Sequence, residues 1–345
     1  MDAKITKKRL GHLLSYDWVK MLIAVVAAIF VWTMVFSMTA TRITSTQRFV
    51  ISNYLGVNYG QGIKLYSDRY SYEILNGGEA ENNLRGGDQM FNDLFMGEME
   101  IGESDLLMVA DVPMSREAKK DEQGNELKDG DGNVIYEYGA SYLSNAMARA
   151  FGNFTRLDDG ANGEKGYFTQ MKEYLARFYK VDSENVKTFG GVSLTVASFQ
   201  KDSFNEAAVE AEFRARVQKN KDKRFKKEEQ ILQGIKAEKE RIRSYLTAYE
   251  TFFTYLENGY VTFTETSAKI SENLTVSGVY SINLCPKTET MGELKEHFYY
   301  VDFEGTTTAK NMNVCFFGFE ELDKDFQYEN LLYLNALIAD VCSEL

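Results

Sequence analysis

Asp129, Asp131 and Asn133, in the stretch DEQGNELKDGDGNVIYEY, are spaced like the oxygen ligands of a calcium loop. Setting Gly132 at the invariant glycine of an EF-hand puts Leu127 at the first ligand position and Tyr138 at the twelfth, where a bidentate glutamate is needed. The calcium reading therefore fails on spacing. The two Gly-Asn steps, Gly124-Asn125 and Gly132-Asn133, instead predict tight turns in a solvated hairpin insertion. Histidine chemistry is thin: His12 precedes the apolar amino-terminal segment, so a triad or metal site beyond it would rest on His297 alone. The chain has no GxGxxG after a strand, no GxxxxGK[ST] and no GxSxG. No catalytic residue, metal or cofactor is assigned.

Binding chemistry starts from the aromatic residues, because ring faces and a few polar groups hold sugars and other amphiphilic solutes. Tyr66, Tyr70 and Tyr72, with Tyr299 and Tyr300, are the candidate ligand-binding residues. A second candidate is the basic run Arg214, Arg216, Lys219, Lys223, Arg224, Lys226 and Lys227, which also includes Lys221 and is interrupted by Asp222. It would dock on anionic lipid, wall polymer or an acidic partner; the alternative is a solvated helix or helix junction compensated by Glu228, Glu229, Glu238 and Glu240. A chain with net charge −12 is a poor binder of nucleic acid.

These residues must be positioned by elements, and the first is KMLIAVVAAIFVWTMVFSMTATR. Leu22, Ile23, Val25, Val26, Ile29, Phe30, Val31, Val35 and Phe36 surround a helix with no polar stripe, which predicts a transmembrane anchor rather than a core helix. The following SMTA offers small residues for cleavage, but Met38 departs from the small-x-small pattern. Residues 1–20 hold five basic and two acidic side chains, a net of +3, so the rest of the chain carries −15 of the total −12. Basic flanks stay inside, so the expectation is a cytoplasmic tail over 1–20, a signal anchor over 21–41 and an extracytoplasmic α/β domain over 42–345.

The whole chain holds 21 Tyr and 23 Phe, nearly all of them in that domain, and only two Pro, so folded structure rather than a stalk is expected. TQRFVISNYL and IKLYSDRYSYEIL read as extended, residues 79–98 as helical, and SDLLMVAD as a strand buried on both faces. Residues 63–111 thus predict a β-α-β unit. SYLSNAMARAF and YFTQMKEYLARFY are helical, VKTFGGVSLTVASF is strand-like, and residues 204–257 form a long helical region. Four late strand signals precede a closing helix with Asp325 as its cap. Cys285 and Cys315 lie in two of those strands, as a pair or as buried free thiols; Cys342 follows in the closing helix.

This order of elements resembles the two-lobed extracytoplasmic solute-binding proteins of bacterial ABC importers. The resemblance implies lobe 1 over about 46–140 and 260–345, lobe 2 with hinge helices over about 141–259, and a ligand such as a sugar or peptide in the cleft. LLSYDWVKMLIAVVAAIFVWTMVFSMTATR, DKRFKKEEQILQGIKAEKERI and TTTAKNMNVCFFGFEELDKDFQYENLLYLN also resemble segments of uncharacterised single-pass proteins of Gram-positive anaerobes. Two function classes follow: a tethered binding protein presenting its solute to a permease, or a structural or interaction subunit of a cell-surface assembly with no small ligand.

Overall fold

The computed structural model describes residues 11, 18–39, 48–60, 79–83, 105–161, 163–222, 224–284, 294–317 and 328–342. The chain divides into two compact units, Met1–Thr44 and Ser45–Leu345. In the first, helix α1 (Trp18–Thr39) exposes its side chains all round, among them Ile23, Phe30 and Trp32. Its span Trp18–Phe36 is long and apolar enough to cross a membrane and fits a single-pass anchor or a signal sequence.

The second unit is built on a mixed sheet. Strands β1 (Arg48–Asn53), β2 (Asn58–Tyr59), β3 (Glu79–Asn83) and β4 (Leu106–Ala110) come first. Next is the insertion carrying β5 (Arg116–Ala118) and β6 (Tyr136–Tyr138), then helices α2 (Tyr142–Ala150) and α3 (Tyr167–Ala176). A hairpin of β7 (Lys180–Phe189) and β8 (Val192–Gln200) leads into α4 (Glu206–Asn220) and the 30-residue α5 (Glu228–Glu257). The chain closes through β9 (Thr262–Ser271), β10 (Leu274–Asn283), β11 (Phe298–Val301), β12 (Thr307–Thr308), β13 (Met312–Phe316) and α6 (Glu329–Cys342).

The six-stranded sheet runs β3-β1-β4-β13-β10-β9. β3, β1 and β4 are parallel, while β13, β10 and β9 continue antiparallel from β4. Period-two alternation along β4 explains its unbroken apolar sequence: Leu106, Met108 and Ala110 enter the larger core, and Leu107 and Val109 the smaller one. The larger core is completed by α3, α5 and α6, whose Phe168, Phe252 and Leu331 are buried there. The smaller core is completed by α2 through Leu143, Ala146 and Met147. Ser141 caps α2 by accepting the Ser144 N–H at 3.1 Å.

One expectation is corrected and another is made specific. The segment 79–83 is not the start of a helix but an edge strand paired in parallel with β1. The rest of the expected helix, residues 84–98, lies outside the described residues. The region 204–257 is two helices, broken where Lys221 adopts left-handed φ of 49°. Cys315 is a buried free thiol whose pKa burial pushes up, so it is not paired with Cys285; Cys285 and Asp325 lie outside the described residues.

The Gly-Asn turns form as expected. Asp129 Oδ1 accepts the N–H groups of Asp131 and Asn133 at 2.9 Å each, and Asp121 Oδ1 those of Gln123 and Asn125 at 2.9 and 2.8 Å. These backbone bonds, led by the one from Asn133, hold the Asp129 carboxyl below its usual range. The spacing that resembles a cation loop therefore serves two turns. Where their hairpins meet the β5–β6 stem, Lys119 N–H donates to Ile135 C=O, Leu127 N–H to Lys119 C=O and Ile135 N–H to Leu127 C=O, a closed triangle of bonds at 2.8, 2.8 and 2.9 Å.

Candidate functional site

Two features of the second unit are candidate contact sites, a strand edge and a pocket. The first is the β7–β8 hairpin. Gly190 and Gly191, at φ 58° and 90°, supply the two left-handed residues of a type I′ turn, and Phe189 pairs with Val192 across it. Counting back from that pair, the antiparallel alternation turns the N–H and C=O of Glu184, Val186 and Thr188 away from β8. Among the described residues β7 pairs with β8 alone, and Val186 is 73% exposed. Leu194, Val196 and Phe199 of β8 anchor the hairpin in the larger core, so the edge is presented on a fixed support.

The second feature is a pocket of about 190 Å³ enclosed by α3, α4 and α5. On α4, Val209, Glu212, Phe213 and Arg216 recur at helical spacing and so face it together. Tyr174 and Phe178 close one side, and Glu238 and Ile242 of α5 form another. Arg177 pairs with Glu212 and lies over the rings of Tyr174 and Phe178, at 5.2 and 5.3 Å from their centroids. Arg216 grips Glu238 through two hydrogen bonds of 3.2 and 3.1 Å. Burial alone would raise the Glu238 pKa; Arg241 and Arg216 outweigh it and hold the carboxyl below its ordinary value. Burial pushes the Tyr174 hydroxyl up to about 12, so it stays protonated and able to donate at neutral pH.

Behind the pocket, the same carboxylate joins a buried network that ties α5 to α6. Arg241 reaches Glu238 at 3.0 Å and Glu329 at 3.7 Å. Tyr245 donates its hydroxyl to Glu329 Oε1 at 2.7 Å, and the Tyr328 N–H donates to Oε2 at 3.1 Å.

Of the expected basic docking run, the three arginines are taken up in ion pairs. Arg214 bonds Glu210 at 3.0 Å and Glu228 at 2.6 Å, Arg216 is on Glu238, and Arg224 pairs with Asp222 at 2.7 Å. Lys219, Lys226 and Lys227 are exposed and carry no ion pair among the described residues, and Lys223 lies outside them. Tyr300 is buried in the larger core and Tyr299 is half-buried on β11. Tyr66, Tyr70 and Tyr72 lie outside the described residues, and His297 is buried. Tyr174, Arg177 and Glu212 were not singled out from the sequence, and Glu238 only as a charge compensating the basic run. The available signal was the face of α4 on which acid, base and aromatic alternate with aliphatic residues.

Compared with protein-family models, curated proteins and solved structures, the chain matches none.

Proposed function

We propose that the chain is an interaction subunit of a bacterial cell-surface assembly, held at the membrane by α1 with its basic amino end in the cytoplasm and the unit from Ser45 onward outside. The free edge of β7 carries this reading. A ten-residue strand with unpaired outward N–H and C=O groups is a template for an extended segment of another protein, which would add a strand to the hairpin. Capture of a solute for the permease of an ABC importer is a second reading, favoured by the pocket beside Tyr174. Its hinged two-lobed form has less support, because side chains from residues 141–259 and from 46–140 and 260–345 share one core. A filled contact favours docking over hinge closure.

The test is crosslinking followed by co-purification of tagged full-length protein from detergent-solubilised membranes, in the natural protein and in Val186→Pro. Proline at Val186 removes an N–H that points away from β8, so the hairpin keeps its own pairing. A partner recovered with the natural chain and lost with Val186→Pro is the expected result. Recovery of the natural chain alone, or equal partner recovery with both, overturns the proposal.

A further inference from the structure

We propose that the pocket enclosed by α3, α4 and α5 binds a free amino acid in its zwitterionic form, with Tyr174 donating its hydroxyl hydrogen bond to the ligand carboxylate. Tyr174 lines the pocket at 8% exposure, and its hydroxyl has no hydrogen-bond partner among the described residues. The hydroxyl keeps some access to solvent beside the pocket, so an acceptor that enters there would take the place of water.

The signs of charge narrow the ligand. Arg177 and Arg216 are balanced on the pocket wall by Glu212 and Glu238, so a net anion or a net cation would meet as much repulsion as attraction. A molecule that carries both signs a few ångströms apart finds a partner for each. Its carboxylate would lie against Tyr174 and the half-exposed Arg216 guanidinium, and its ammonium against Glu212, which holds Arg177 through both oxygens but, unlike the buried Glu238, is half-exposed and keeps lone pairs open to a further donor. Glu238 has both oxygens engaged by Arg216 and Arg241 and serves to fix Arg216. Phe178 and Phe213 leave an apolar surface for a hydrocarbon side chain. A volume of about 190 Å³, the space of roughly six waters, suits one amino acid and is too small for an oligosaccharide.

The inference rests on the capture reading and is separable from docking: a failed partner recovery leaves it standing, and a failed ligand screen leaves docking standing. Full-length protein in detergent micelles is screened by thermal shift with each of the common L-amino acids at about 1 mM, and the best is measured by equilibrium dialysis. Saturable binding of one molecule per chain is expected. The N-acetyl and amide derivatives, each lacking one charge, should compete about tenfold or more less well, and Tyr174→Phe and Glu212→Gln should each weaken binding by about tenfold while the urea midpoint holds. No saturable binding, derivatives that bind as well as the parent amino acid, or stably folded Tyr174→Phe and Glu212→Gln variants with natural affinity would each overturn it.

Discussion

Burying Glu238 and Glu329 beside Arg241 takes three charges out of water, a cost offset only while every partner is in place. Arg241→Met would leave two buried carboxylates without their shared cation and should lower stability by about 3–5 kcal/mol, measured by urea unfolding. Acid should act through the same site. Glu238 has a folded pKa below its ordinary 4.5, so its contribution is fully present above that value and is lost as the pH falls through the folded one. Glu238→Gln should therefore flatten the loss of stability below pH 4.5; an unchanged slope would assign acid sensitivity to other carboxylates. None of this network was legible in the sequence. The Glu and Arg residues of 238–243 read there as a solvated helical face, because partner α6 is some 90 positions away and no local spacing points to it.

Helices and strands were legible where burial leaves a pattern. SDLLMVAD announced β4 because both faces are buried, and the apolar spacing from Ile235 to Leu256 announced α5. β7 was half missed: KVDSENVK overhangs its support and shows no alternation, so only the part next to the turn was visible. The α4–α5 break falls within the charge run, where a solvated helix and a helix junction were both open readings. Gly234 marks how tightly these two helices meet, since a Cβ there would lie 2.3 Å from the Phe213 ring and 2.7 Å from that of Phe225. Gly234→Val should force the rings aside and cost about 1–3 kcal/mol in thermal or urea unfolding, despite its gain in helix propensity. Gly191 is the opposite case: nothing lies within 4 Å of its would-be Cβ, so Gly191→Val is penalised by its positive φ alone, about 1–2 kcal/mol, and Gly191→Asn by less.

For the whole molecule, one core spanning the six-stranded sheet and α3, α5 and α6 predicts that the unit from Ser45 to Leu345 unfolds in a single cooperative step. Two resolved transitions by fluorescence and circular dichroism would restore the two-lobed expectation. Fold class was legible at the coarse level, a mixed helix and sheet unit after an apolar helix. The division into lobes rested on the order of elements alone, which does not state which side chains share an interior.

The closed triangle of backbone bonds at Lys119, Leu127 and Ile135 has one more consequence. The two small hairpins beyond it draw their order from their own turns, not from the interior of the protein. They can thus be treated as an exchangeable cassette. Foreign peptide spliced between Gln123 and Gly124, or between Asp131 and Gly132, should be displayed at the tips while the sheet beneath stays intact, which makes these the first places to mount a tag or fluorophore.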